Sequence, residues 1–378
     1  MTAERQWLDR RRPEPGASAY GPIGVNFSQD NLHLVQLERL GEGEIGMRAY
    51  AVLPYPGSRA DLMAAPAAVA KLVRRGMREG KFRGRKVVSA MPPEQVRVMS
   101  VSYPANATDS AANSIAKLMA DRVEGPLTDY VVDYVPIRVS SHDGDRLALV
   151  AVSRLEDANA YLDCLAAAGL HVDFLEIGPI AIKRLISFGA IADLQDHVFV
   201  LNVGGTSTNL TTISGERLLA DQELEFGEQR ILAAIANSLD LTEHMARDLI
   251  ITNGLDQAAD VGAATESSFD PGIVTTLVDI VRPEFLRLVR EIERAFLFAD
   301  SESHGNSRKK IIVAGSIAQW PGAATLLGSL TQTPVESLGR SHMPFAGDAE
   351  DNPEISDQLA AEMSAAVGLA LRGMTDNE

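Results

Sequence analysis

Apolar and polar positions along the chain follow two periods, and the switches between them mark the elements. GPIGVNF (21–27) reads as a strand. NLHLVQLE (31–38) alternates apolar and polar and reads as a second strand, joined to the first by the tight connection SQD. GMRAYAVLPY (46–55) continues the sheet. Leu62, Val69, Leu72, Val73 and Met77 recur near helical spacing, which predicts a helix across about 60–80. KVVSAMP (86–92) is a buried strand ended by Pro92 and Pro93, and QVRVMSVSYP (95–104) alternates. TDSAANSIAKLMADRV (108–123) reads as a helix with Thr108 and Asp109 as candidate caps. Two strands, 129–139 and 146–153, precede a helix over 155–169 that stops at Gly169. A strand over 171–178 and a helix over 179–189, with proline at its start and glycine at its end, close this half.

The second half opens near His197 with the apolar strand HVFVLNVG, the alternating strand TSTNLTTI (206–213) and a third strand over 216–226. Helices are predicted over about 227–252 and 272–300, with a loop over 253–272 between them. KKIIVAGS (309–316) is another apolar strand leading into the helix PGAATLLGSL, and 356–373 reads as one small-residue-rich helix. Each half thus begins with an apolar strand, a small-residue hairpin and an alternating strand: IGVNFSQDNLHLVQL, then VLNVGGTSTNLTTI. Their spacing of about 180 residues predicts duplicated α/β domains facing each other across a cleft.

With 378 residues the chain is long for one core, which agrees with two or more domains. The expected division is a flexible tail over 1–20, a first domain over 21–190 with an αβ insert at about 87–170, and a second domain over 191–378. No stretch reaches the roughly 18 apolar residues of a membrane span, and no apolar segment follows the basic residues of the N-terminus, so a cytoplasmic protein is expected. The single cysteine, Cys164, lies in a helical pattern as a small core residue and excludes a disulfide framework. The seven histidines show no metal-ligand spacing, so no metal ligand or catalytic residue is assigned.

The net charge of −16 argues against nucleic acid as a partner. Two basic stretches depart from that balance: Arg10–Arg12 beside Trp7, and Lys71 to Lys86 with Arg74, Arg75, Arg78, Lys81, Arg83 and Arg85 between. Each could touch anionic lipid; the plain alternative is a flexible tail and a solvated helix face.

The two hairpins are where a family resemblance arises. Residues 23–37 and NVGGTSTNL (202–210) resemble the two phosphate loops of the actin-like ATPase superfamily, and within it the PilM family of type IV pilus assembly proteins. IIVAGSIAQWPGAATLL (311–327) resembles a third signature. EFGEQRI (225–231) resembles a turn of the PilM and FtsA group, and the stretch from Val87 to about Leu185 resembles their inserted subdomain. The resemblance covers about residues 20–373.

It implies the actin-like ATPase fold and a cleft for ATP with magnesium. Hairpin N–H groups form a nest for phosphate oxygens, and glycine permits close approach. The implied cofactor-binding positions are Asn26, Ser28, Asn202, Gly204, Gly205, Thr206, Thr208, Gly315 and Ser316, with the hydroxyls of Thr206 and Thr208 donating to phosphate. This chain departs from the pattern at the carboxylates beside the loops, which here are the amides Asn26 and Asn202 and bring no charge for magnesium. Phe27, Ser28, Gln29 and Asp30 stand where the resembled loop has glycine and small hydroxyls; Asp30 brings negative charge toward phosphate, and His33 stands for the usual lysine. Weakened nucleotide binding and poor hydrolysis follow. The resemblance also implies a cytoplasmic component, peripheral to the inner membrane, that binds the N-terminal cytoplasmic peptide of a PilN-like membrane protein, with self-association open. The alternatives are an active actin-like ATPase and an FtsA-like division protein, the latter weakened by the short polar end RGMTDNE.

Overall fold

The structure is a computed structural model that describes residues 20–40, 44–104, 110–138, 145–189, 196–215, 217–256, 271–302, 307–345 and 355–374. The expected tail over 1–20 lies outside the described residues except for Tyr20, as do most of the expected loop over 253–272 and the candidate caps Thr108 and Asp109.

In chain order the first half contains β1 (Tyr20–Phe27), β2 (Asn31–Arg39), β3 (Ile45–Pro54), α1 (Arg59–Met63), α2 (Pro66–Glu79), β4 (Lys86–Ala90), β5 (Arg97–Pro104), α3 (Ala111–Ala120), β6 (Tyr130–Arg138), β7 (Asp145–Arg154), α4 (Leu155–Ala167), β8 (His171–Glu176) and α5 (Gly178–Phe188). The second contains β9 (His197–Val203), β10 (Thr208–Ser214), β11 (Arg217–Leu224), α6 (Glu228–Leu239), α7 (Glu243–Asn253), α8 (Pro271–Glu302), β12 (Lys309–Gly315), α9 (Ala323–Thr331), β13 (Val335–Ser337), α10 (Asp357–Glu362) and α11 (Ser364–Leu371).

Two five-stranded sheets repeat one topology, β3-β2-β1-β4-β8 and β11-β10-β9-β12-β13. In each, three antiparallel strands are followed by two parallel ones. This is the duplicated α/β actin-like architecture that the paired hairpins predict. The short strand β13 has no periodicity of its own and escapes the sequence pattern.

Three predicted helices are interrupted. The helix over 60–80 breaks at Ala64–Ala65, because Pro66 begins α2 with its own fixed φ. The helix over 227–252 breaks at Asp240, which is left-handed (φ 54°), and Thr242 caps α7 by accepting from Met245 N at 3.2 Å. The last helix breaks at Met363. For α3 the cap is Ser110, whose Oγ accepts from Asn113 N at 3.3 Å.

The strands β5, β7 and β6 form a separate three-stranded sheet, in the order β5-β7-β6, with α3 on one face. Its other face, through Ile137, Leu147 and Leu149, joins the core of the second half, and Arg217 Nη1 donates to Ile137 O at 2.9 Å. The flanking elements β4 and α4, which fall inside the expected 87–170 segment, belong to the layers of the first sheet.

The final helix returns to the beginning of the chain. Every residue of α11 is buried, and it packs against β1 and α5. A Cβ on Gly24 would overlap the Ala366 carbonyl, and one on Gly368 would overlap the Ala181 carbonyl, so backbone meets backbone at both places. Beside this contact Glu176 is buried and accepts from Arg184 through two bonds, Nη1 at 3.0 Å and Nη2 at 2.9 Å. Arg372 donates to the same carboxylate, and Arg184 Nη1 also donates to Gly368 O at 2.9 Å.

Candidate functional site

The turns of the two long hairpins, β1–β2 and β9–β10, face a shared cavity of about 470 Å³. Six of the nine sequence-predicted positions line it: Asn26, Ser28, Asn202, Gly204, Gly315 and Ser316. Gly205, Thr206 and Thr208 do not. Met91, Val98, Met99, Ile182 and Ala365 add apolar residues to the lining.

The polar groups of the hairpins are largely occupied by the protein itself. Ser28 Oγ donates to Asn31 O at 2.9 Å and so closes its own turn. Thr208, expected to offer its hydroxyl to phosphate, is fully buried, and Oγ1 donates to Phe226 O at 2.6 Å. Strand alternation causes this correction: Leu210 and Thr208 share the core face of β10. Thr206 is exposed. The carbonyls of Gly204 and Gly205 accept from Glu228 N and Gln229 N, each at 2.9 Å, and so cap α6. Gly227 of the EFGEQRI segment makes this possible, since a Cβ there would overlap Gly205.

Gly315 is left-handed (φ 80°), and a Cβ there would overlap Val203 O and sit 2.8 Å from Asn202 Oδ1. Ser316 donates to Val203 O twice, from N at 2.8 Å and from Oγ at 3.2 Å. The third signature therefore holds β12 tightly to β9.

The residue that joins the two hairpins is Gln29, which sequence reasoning recorded only as a departure from the family pattern. Its Oε1 accepts from Thr206 N at 3.1 Å, and its Nε2 donates to Ser207 O at 3.1 Å and to Ser207 Oγ. The Gln29 amide also fills the space over Gly204 so closely that a Cβ on that glycine would overlap it. The carboxylate of Asp30 lies beside Gly205, 3.4 Å from where a Cβ would stand. A long amide in place of a small hydroxyl was the available signal.

The Asp, Glu and Arg residues that line the cavity are Asp30, Arg59, Arg97, Asp221, Glu223 and Glu362. His33 lines it with both ring nitrogens buried and without a partner among the described residues. Burial lowers its pKa to about 4, so the ring is uncharged at neutral pH. Arg59 is held by Glu94 at 2.7 Å. Among the described residues no group of three His, Cys, Asp or Glu could hold a metal ion.

Asp221 was also missed. It lines the cavity, accepts from Thr211 Oγ1 at 2.6 Å, and burial pushes its carboxyl up to about 7 against the pull of that bond. An acid whose folded pKa exceeds its unfolded value of 3.8 stabilises the fold below that value, and the contribution is lost as pH rises to about 7. Thermal unfolding across this window is therefore expected to show stability falling with pH. Asp221→Asn should flatten the fall, and a variant that declines as steeply as the parent would show that another group is responsible.

A duplicated pair of sheets with facing hairpins defines a protein of the actin-like ATPase fold. The sequence profile of the family described as type IV pilus assembly protein PilM matches residues 24–263, and the chain belongs to that family. No curated protein shows a matching sequence. Among solved structures, one described as a PilM-PilN type IV pilus biogenesis complex is 22% identical, covering 95% of this chain and 100% of that one, with a TM-score of 0.71. The ethanolamine utilization protein EutJ from Carboxydothermus hydrogenoformans is 14% identical, covering 95% of this chain and 91% of its own, with a TM-score of 0.53. The nucleotide-free diol dehydratase-reactivating factor is 10% identical, covering 94% and 100%, also with a TM-score of 0.53.

Proposed function

We propose that this chain is a component of type IV pilus or related secretion assembly that captures the cytoplasmic tail of a PilN-like inner-membrane protein and works by binding, without nucleotide turnover. Family membership and the likeness to a protein solved as a PilM-PilN complex support the partner class. The observation that carries the non-catalytic half is Gln29. Its amide stands in the second hairpin and takes the Thr206 N–H that a phosphate oxygen would need.

The residues present do not fit a magnesium-bound nucleotide. Asn26 and Asn202 bring no charge for a divalent cation, His33 is neutral where a cation would steady phosphate, and Asp30 faces the same nest. No catalytic step is assigned. A second reading, domain closure driven by ATP, is favoured by the glycines Gly204, Gly205 and Gly315 and by the size of the cavity.

In the first reading the chain sits at the cytoplasmic face of the inner membrane through its partner; none of its described helices is long and apolar enough to cross a membrane. The tail docks as an extended peptide along β5, whose Val98 lines the cavity together with Met91 and Pro93. A fluorescent peptide of the partner's cytoplasmic tail should bind saturably with and without Mg-ATP. Val98→Asp should weaken it about tenfold or more, as loss of an apolar anchor does. Peptide binding that requires Mg-ATP would favour the second reading.

A further inference from the structure

We propose that the outer face of α2 and the turn after it form a docking surface for an anionic phospholipid bilayer. This goes beyond tail capture and does not require it. Between Lys71 and Lys86 stand eight Lys or Arg residues and one acid, Glu79, in a chain with 51 acidic and 35 basic residues. All eight cations are exposed. The stripe Val69, Ala70, Val73 and Gly76 fixes the apolar side of α2 to the first sheet, so the charges are held on the outside.

Half of these cations have visible structural work. Arg75 pairs with Glu79 at 2.7 Å, and Lys86 with Asp173 at 3.5 Å. Arg74 donates to Ala167 O at 3.1 Å, and Arg85 lies beside Gly169 at the same end of α4. Lys71, Arg78, Lys81 and Arg83 have no acidic partner within 4.0 Å among the described residues. A charge cluster left unneutralised on an acidic protein calls for an anionic partner.

The turn is also built to hold its shape. Gln36, fully buried, donates to Arg83 O at 2.7 Å and accepts from Arg83 N at 2.8 Å, and it donates to Gly21 O at 2.9 Å. Lys81 is left-handed (φ 55°), a conformation that favours glycine. A lysine kept where glycine fits better points to a use for its charge.

Two features select a lipid surface. A nucleic acid would bring a long polyanion against the remaining acidic surface within a Debye length of about 10 Å, whereas a bilayer can be met by one face alone. Tyr20, half-exposed, sits beside the turn, 3.8 Å from where a Gly84 Cβ would stand. An amphipathic ring among cations matches the level of lipid headgroups.

Flotation of the full chain with vesicles tests this. It should bind phosphatidylcholine vesicles that contain about a third phosphatidylglycerol, fail to bind phosphatidylcholine alone, and release at about 0.5 M salt. The triple variant Arg78→Glu, Lys81→Glu, Arg83→Glu should lower the partition by about a hundredfold or more, since each cation contributes roughly fivefold. If that variant is misfolded by circular dichroism, Arg78→Gln with Arg83→Gln should still lower it about tenfold or more. Equal binding to neutral vesicles, no binding to anionic vesicles, or a folded variant that binds like the parent would each overturn the proposal; the second result would point to an acidic protein instead. Tail-peptide titration without vesicles reports on the groove separately, so either proposal can fail alone.

Discussion

Titration of the chain with Mg-ATP is expected to give no saturable heat, and a three-residue change should create it. In Gln29→Gly with Asn26→Asp and Asn202→Asp, the amide leaves the hairpin nest and both loop carboxylates return. The first change frees the Thr206 N–H and the space over Gly204. The other two give a divalent cation the charge that it needs. Each freed or restored polar contact to phosphate is worth about 1.5–3 kcal/mol, so a gain of at least a hundredfold is expected, and it should depend on magnesium. The single variant Gln29→Gly should gain less, with little metal dependence. Tight Mg-ATP binding by the parent chain would show that Gln29 swings aside easily, and the cleft would then have to be read as a working nucleotide site.

The second large effect concerns stability. Glu176→Ala should cost about 3–5 kcal/mol, because it leaves the buried Arg184 guanidinium, and part of Arg372, without their anion. The apparent melting temperature should fall by on the order of 10 °C. Replacing the pair together, Glu176→Leu with Arg184→Met, should recover much of that loss, since a well-packed apolar pair can match a buried ion pair. If the double variant is as unstable as the single one, the bond from Arg184 to Gly368 O matters more than the ion pair.

The order of strands was legible because alternation and apolar runs reflect burial directly. IGVNF and VLNVG read as twin strands, and they are the central β1 and β9 of equivalent sheets. Breaks inside helices were less legible. The left-handed Asp240 and the Thr242 cap divide one expected helix, and Met363 divides another, although the apolar spacing runs on across both breaks. At the candidate site, Asn26, Asn202, Gly204 and Gly315, singled out from the repeated hairpins and the third signature, line the cavity. The same reading failed for Thr208, whose direction depends on strand parity, and for Gln29, whose reach across 178 positions no local pattern records. Asp221 was invisible for a similar reason: its place on the cavity depends on how distant segments come together.

The return of α11 to β1 also sets a timetable for synthesis. The floor of the first sheet is covered by residues 364–371, whereas α5, the other half of that floor, ends at Phe188. At translation rates of about 5–20 residues per second, the intervening stretch takes roughly 10–40 s to emerge. During that interval Gly24, Val88, Ala90 and Ala181 face water or a chaperone. The first half of the molecule can therefore reach its final form only after the last helix has left the ribosome, and a stalled or shortened product would display that apolar floor to proteolysis.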